Sequence, residues 1–301
     1  MNKVHNLDWL GSCWDIGSVV HLIRYKDHVS FFTTDRGSHY LLKEKGCFHH
    51  AELEGGFLSY LYQEGLSVQV PIYNKYGKQV FRYEGGVYCI YPYTAGKPYS
   101  FIEEGAMEYI NQSGRLISEF HYLAENYTEC INYNEMELGD QIYEVLTWIH
   151  RFSLCNQEKS KLFNRMMRLD AMEGKLPKQL IHRDLHPNNM IFNKGRFKGF
   201  IDFDMCQIGC KVYDIAYFMV AVLKRRILDH SHDDHFDEAF HNFLCNYESL
   251  VPLSVLEKEL LPDVMLFIAC CYVIYFSLQL YYESTAESYI KVIKYLLSTT
   301  E

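Results

Sequence analysis

The chain has 301 residues and a mass of 35.6 kDa, which at roughly 100–200 residues per domain makes two domains or one large two-lobed one. With 49% hydrophobic, 16% aromatic and 22% charged residues, it has ample core material, so disordered, collagen-like and coiled-coil classes are excluded. Its formal net charge of -9, from 29 Lys+Arg against 38 Asp+Glu, argues against nucleic acid as the main partner.

Met1 to Asp8 lack a basic region followed by an apolar one, so no secretory signal is expected. Residues 18–46 then read as short strands: Ser18–Arg24 is apolar, Val29–Thr34 alternates, and His39–Lys43 follows the Asp35-Arg36-Gly37 turn. Glu52–Gln63 reads as a helix with Leu53, Phe57, Leu58 and Leu61 on one face, stopped by Gly65. Strands return at Val70–Tyr73, Gln79–Tyr83 and Val87–Tyr91. Residues 1–92 are therefore expected to form a small antiparallel β lobe carrying one helix, with 93–97 a short connector.

From Phe101 helical periodicity dominates, over 101–127, 135–155, 157–173, 212–227, 233–248, 254–282 and 285–298, so 98–301 reads as a second, mainly helical lobe. Val264–Tyr282 is nearly uncharged and close to membrane-spanning length. Its Ser277, Gln279 and tyrosines, and its lack of a basic flank, favour a buried helix and no membrane partner. The ten cysteines show no repeated short spacing, which with the missing signal reads as reduced thiols in a cytoplasmic protein. Cys206 and Cys210 have no nearby second pair to complete a metal site. The 25 tyrosines are unusual and have no functional explanation at this level.

The chemistry lies in Leu180–Asp204, LIHRDLHPNNMIFNKGRFKGFIDFD. Met190-Ile191-Phe192 and Phe197–Phe203 are two strands around the turn Asn193-Lys194-Gly195, where Gly195 can take positive φ. Folding that hairpin brings Asn189 and Asp202 to the same end, with Asp184 in the loop before it. Two hard oxygen ligands suited to Mg²⁺ and one free carboxylate are what phosphoryl transfer requires.

The spacing His182-Arg183-Asp184-Leu185-His186-Pro187-Asn188-Asn189, then Ile201-Asp202-Phe203-Asp204, Gly209 and Tyr213-Asp214-Ile215-Ala216, resembles the aminoglycoside phosphotransferase and choline kinase-like superfamily of small-molecule kinases. Gly65–Tyr83 looks most like its branch of homoserine kinases, stress-response kinases and spore-coat kinase-like proteins. Cys210 departs from the family's usual acid before the Tyr-Asp element.

The resemblance implies an α+β, protein-kinase-like two-lobed fold, with 1–92 the nucleotide-binding lobe, 93–97 the hinge and 98–301 the catalytic and acceptor-binding lobe. It implies Asp184 as catalytic base, Asn189 and Asp202 as Mg²⁺ ligands, and His182 and Asp214 as braces of the loop. His186 either lines the site or packs, and Asp204 has a minor metal or substrate role. On the nucleotide side it implies Lys43 on the phosphates of ATP, with GTP not excluded, paired to Glu54 or its rival Glu52. Adenine would bind the backbone around Tyr91 to Tyr93, and since Pro92 has no N–H, Tyr93 is the favoured donor. No Gly-x-Gly-x-x-Gly is present; Tyr25–Ser30 would cover the phosphates, with Ser30 and His28 available.

The expected reaction is ATP- and Mg²⁺-dependent phosphorylation of a small-molecule hydroxyl. The rivals are a protein Ser/Thr kinase of the same fold and a silent nucleotide-binding coat or scaffold protein. Asp229–Glu238 is polar and acidic. It reads as the wall of a cationic acceptor's pocket, as a histidine-rich metal site, or as a solvated loop running into a helix whose first-turn acids suit the dipole. The acids Glu103 and Glu104 read in the same first-turn way.

Overall fold

The computed structural model describes residues 8–26, 28–99, 106–228 and 236–299. They fall into two compact units, Met1–Lys97 with Met190–Asp204, and Pro98–Asn189 with Met205–Glu301. The first boundary falls between Lys97 and Pro98. The hairpin 190–204 differs from expectation: it packs with the first unit although its sequence lies deep in the second.

In the first unit, α1 (Asp8–Cys13) precedes β1 (Val19–Lys26), β2 (Val29–Thr34) and β3 (His39–Lys45); α2 (Phe48–Gln63), β4 (Phe81–Tyr83) and β5 (Gly86–Pro92) follow. The strands form one antiparallel sheet in the order β1-β2-β3-β5-β4. Leu10, Trp14, Ile16, Phe32, Leu42 and Ile90 pack as a buried cluster on it, which supplies the hydrophobic drive for so small a sheet. The expected strand Val70–Tyr73 is absent: Pro71 has no N–H for a ladder, and Ile72 makes one bond, N–H to Ile90 O at 2.8 Å. Helix α2 starts four residues earlier than the periodicity suggests.

A two-residue strand, β6 (Lys97–Pro98), and α3 (Ala106–Glu125), α4 (Gly139–Trp148), α5 (Asn156–Met172) and β7 (Lys178–Ile181) lead to the hairpin β8 (Met190–Asn193) and β9 (Arg196–Phe200). Its turn is as expected, with Lys194 at φ 49° and Gly195 at φ 76°, both positive as a two-residue hairpin turn demands. Met190 stands opposite Phe200. The hairpin docks on the first unit through backbone bonds, Phe200 N–H to Ser67 O (3.0 Å) and Gln69 N–H to Phe200 O (3.1 Å). β9 ends before Asp202, whose φ of 68° is incompatible with a strand.

The second unit is completed by β10 (Gln207–Cys210), α6 (Lys211–Leu228), α7 (Phe236–Glu248), α8 (Val255–Ser277) and α9 (Glu283–Ser298). β7 and β10 pair antiparallel, Gln207 opposite Ile181, and this ribbon pins the start of the loop that carries Asp184. α8 is capped by a reciprocal pair, with Ser254 Oγ accepting from the Glu257 N–H and the Glu257 carboxylate accepting from the Ser254 N–H. By length and composition α8 could cross a membrane, with a mean hydropathy of 1.9 in its most apolar window, but two-thirds of that window is buried inside the fold. It packs against α9 and α6, so the fold accounts for its apolar surface. Burial pushes the Cys210 thiol up to about 12, an inert core thiol.

α3 lies closely on α7, and a methyl group at Gly114 would run into the Phe243 carbonyl oxygen. Gly114→Ala is therefore expected to destabilise the fold by about 1–3 kcal/mol through overpacking, read as a lower denaturation midpoint at unchanged m-value.

Candidate active site

In the first unit, Lys43 and Lys45 stand two apart on β3 and so share a face of the sheet. Tyr91 on β5 pairs with Leu41, and both ammonium groups sit 5.2 Å from its ring centroid. Lys45 donates to Glu54 Oε2 at 2.7 Å and Oε1 at 2.9 Å, and also bonds Asp204. The Tyr91 hydroxyl donates to Glu54 Oε1 at 3.0 Å. Lys43 donates to Asp202 Oδ1 at 2.8 Å. The lysine that holds the helix glutamate is thus Lys45, not Lys43, and the expected Lys43–Glu54 pair is corrected. Glu54 is the buried helix acid, whereas Glu52 faces solvent.

The electrostatics follow the burial. The side chains of Lys45 and Glu54 are 6% and 2% exposed, against 38% for Asp202 and 42% for Asp204. Burial alone would lower Lys45, but Glu54 and Asp204 outweigh it and hold the ammonium above its ordinary range. Burial pushes the Glu54 carboxyl up, against the pull of Lys45. Burial would also raise Asp204, but Lys43 and Lys45 hold it below the usual carboxylate range. Two ammonium groups and three carboxylates thus interlock, and the two open carboxylates face solvent. Asp204, assigned a minor role by resemblance, is a full partner of Lys45.

The hinge expectation changes as well. The Tyr93 N–H, favoured as adenine donor, is donated to His39 O at 3.0 Å and serves the sheet. Tyr91 contributes its phenol to Glu54. Ser30 lies in β2 opposite Arg24 and Leu42, at the end of the expected phosphate-covering turn, of which Asp27 lies outside the described residues.

In the second unit, the 182–189 loop is built around two acids. The buried Asp214 carboxylate accepts the N–H groups of His182 and Arg183, both at 2.8 Å, and lies 3.2 Å from His121 Nε2. These bonds hold Arg183 at φ 67°, a left-handed conformation that a non-glycine residue keeps only when its surroundings enforce it. Asp214 thus braces the loop, while His182 contributes its backbone N–H and packs edge-on to Phe120.

Asp184 is held at both oxygens. Asn189 Nδ2 donates to Asp184 Oδ2 at 3.2 Å and to its backbone O at 2.8 Å. The Tyr217 hydroxyl on α6 donates to Asp184 Oδ1 at 2.7 Å. Burial, with Tyr272 and Asp184 adding to it, pushes the Tyr217 phenol far above its usual range, so it remains a donor. His186 packs against Tyr217 with centroids 6.3 Å apart, and its Nε2 lies 3.7 Å from Asp184 Oδ2. It both packs on Tyr217 and borders Asp184. Lys45 and Tyr217 are the site residues that sequence reasoning missed.

In the second unit Asn189, its NH₂ committed to Asp184, keeps a carbonyl oxygen, and in the first unit Asp202 offers an open carboxylate; each by itself is a hard oxygen donor of the kind Mg²⁺ takes. Among the described residues no group of three or more His, Cys, Asp or Glu is placed to hold a metal by itself. For Asp229–Glu238, residues 229–235 lie outside the described residues, as do Glu103 and Glu104.

Three comparisons bear on this geometry. Residues 24–253 match the model of the phosphotransferase enzyme family. A homoserine kinase of Neisseria meningitidis serogroup B is 26% identical over 266 residues, covering 83% of this chain and 81% of the relative. A Gluconobacter oxydans homoserine kinase is 24% identical over 223 residues, covering 69% and 65%. Among solved structures, amicoumacin kinase hAmiN in complex with AMP-PNP, Ca²⁺ and Ami superposes with a TM-score of 0.74 at 19% identity, over 100% of this chain and 94% of that one. A microcompartment-associated aminopropanol kinase does so with 0.71 at 16% identity, over 99% and 98%. These structural likenesses establish the protein-kinase-like fold. The family match runs from within β1 through the loop that carries Asp184 and beyond α7, and the chain belongs to the phosphotransferase enzyme family, as a small-molecule kinase acting on hydroxyl groups.

Proposed function

We propose that the protein transfers the γ-phosphoryl group of Mg-ATP to the side-chain hydroxyl of homoserine or a closely similar short amino alcohol. The observation that carries this is Asp184, one-third exposed and fixed at both oxygens by Asn189 and Tyr217. A carboxylate so held is a pre-positioned general base. The named activity of the sequence relatives supports this acceptor.

In the proposed step the acceptor oxygen forms a bond to the γ-phosphorus as the bond from that phosphorus to the β–γ bridging oxygen breaks. ADP leaves, and the hydroxyl proton passes to Asp184. Asn189 and Asp202 would hold Mg²⁺, which neutralises phosphate charge when bound. Lys43 sits beside Asp202 as the ammonium available to phosphate oxygens, while Lys45 is committed to Glu54 and Asp204. No covalent enzyme intermediate is required, and catalysis is positioning plus charge neutralisation.

The test is ADP release from purified protein with Mg²⁺ and ATP or GTP, against L-homoserine, amino alcohols, aminoglycosides and a generic peptide. An L-homoserine-dependent rate that falls by about 10²–10⁴ in Asp184→Asn is expected; peptide phosphorylation with no small-molecule turnover would sink the reading. Asp202→Ala is expected to abolish the thermal shift given by Mg-ATP, leaving the nucleotide-free melting temperature within a few degrees.

A further inference from the structure

Tyr217 begins an aromatic wall. Its ring centroid lies 5.6 Å from that of Tyr272 on α8, and Tyr272 stacks on Tyr289 of α9 at 4.5 Å and on Phe276 at 5.9 Å. At the far end stands Lys224, its Nζ 4.7 Å from the Tyr289 centroid and 6.0 Å from that of Phe276. Lys224 follows Tyr217 by seven residues on α6, two helical turns on the same face, a rise of about 10 Å. The wall therefore runs from the catalytic base at one end to an ammonium at the other.

Lys224 is half-buried and, among the described residues, has no carboxylate partner. The buried lysines are paired: Lys43 and Lys45 as above, and Lys211 with Glu257 at 3.0 Å. Burial, with Arg225 adding to it, pushes Lys224 below the usual lysine range. An ammonium kept partly out of water on two ring faces gains from any anion brought to it.

We infer that the acceptor is a hydroxy acid whose carboxylate is anchored by Lys224, while its hydroxyl lies at Asp184 and its chain crosses the tyrosine faces. This deepens the proposed function and rests on it. The two helical turns between Tyr217 and Lys224 set the scale of the acceptor as a short-chain hydroxy acid, hydrogen-bonded at both ends. The tyrosine faces would also attract an amino group on the chain. The acceptor's anionic end, not a cationic one, is then what selects it.

The experiment measures kcat and KM for three acceptors: L-homoserine, 4-hydroxybutyrate, which lacks the amine, and 3-aminopropan-1-ol, which lacks the carboxylate. Wild type is compared with Lys224→Met, which keeps the aliphatic stem on the rings, and with Lys224→Arg. The expected result is a KM at least tenfold higher in Lys224→Met for the two carboxylates, with kcat within about threefold and 3-aminopropan-1-ol unaffected. Lys224→Arg restores most of the loss. Equal effects on all three acceptors, or none, would overturn the inference. So would wild-type turnover of 3-aminopropan-1-ol or an aminoglycoside without turnover of either carboxylate, an outcome that leaves the kinase reading standing. Absence of ADP release with every acceptor would overturn both. If Lys224→Met fails to fold, the contrast between Lys224→Arg and wild type on the carboxylates, and protection of wild type from unfolding by 4-hydroxybutyrate with Mg-ADP, decide the question.

Discussion

Asp184→Asn is expected to lower kcat by about 10²–10⁴, the range typical of removing a positioned general base. The Mg-ATP-induced thermal shift should be retained, because the nucleotide-side residues Lys43, Lys45, Glu54 and Asp202 belong to the other unit's cluster. Asparagine keeps the volume and still accepts from Tyr217, so the loop, braced by Asp214, has no reason to move. The KM for acceptor should change little against the fall in kcat. A variant with near-normal turnover would remove Asp184 from the chemistry; one that no longer binds Mg-ATP would mean that it serves structure or metal instead.

The second large effect separates the two lysines. Lys45→Ala leaves Glu54 buried beside Tyr91 without its counter-ion, and breaking a buried pair in this way costs about 3–5 kcal/mol. Lys43→Ala releases Asp202, whose carboxylate is open enough to be solvated, and should cost at most about 1 kcal/mol. Urea unfolding of the two variants measures the difference. Nucleotide titration should show the opposite ranking per kcal/mol of stability lost, with Lys43→Ala losing Mg-ATP affinity while still folded. The double variant Lys45→Met, Glu54→Leu should recover stability relative to Lys45→Ala, since replacing both partners of a buried pair is often neutral. Reversed stabilities would return the helix-glutamate role to Lys43.

The pH dependence of this cluster has a definite sign. Asp204 is held below its ordinary range, so its contribution is present above about pH 4 and is lost as pH falls through its folded value. Lys45 is held above its ordinary range, so its contribution is present below about pH 10 and is lost on the alkaline side. Glu54, which burial holds above its ordinary range, acts in the opposite sense: stability is lost as pH rises from about 4 through its folded value.

What could be read from the sequence was what lies close along the chain. Asp184, Asn189 and the Asn193–Gly195 turn lie within a dozen residues, and their spacing alone places a loop, an amide beside a carboxylate, and a hairpin. Asp214 was legible only through the family resemblance carried by Gly209 and Tyr213-Asp214-Ile215-Ala216. Lys45 was not, because Lys43 and Lys45 alternate onto one face of the same strand, and only the approach of α2 decides which meets Glu54. Tyr217 sits 33 residues from Asp184, one tyrosine among 25, and nothing in its local pattern distinguishes it from core. The expected strand at Val70–Tyr73 failed because apolar alternation does not register the missing Pro71 N–H. The Tyr93 amide failed because strand pairing with His39 claims it.

The docking of residues 190–204 on the first unit imposes an order on synthesis. A ribosome that has finished Lys97 has made every strand of the five-stranded sheet. Yet Ser67 and Gln69 still await Phe200, and Lys43 and Lys45 still lack Asp202 and Asp204. At about 5–20 residues per second, the missing piece follows roughly 5–20 seconds later. During that interval the nascent sheet carries two strongly charged lysines with only Glu54 to answer them, and an open edge on the 67–69 segment. A fragment ending at the hinge is thus an incomplete folding unit, and a nucleotide-side module can be excised from this protein only if the distant hairpin travels with it.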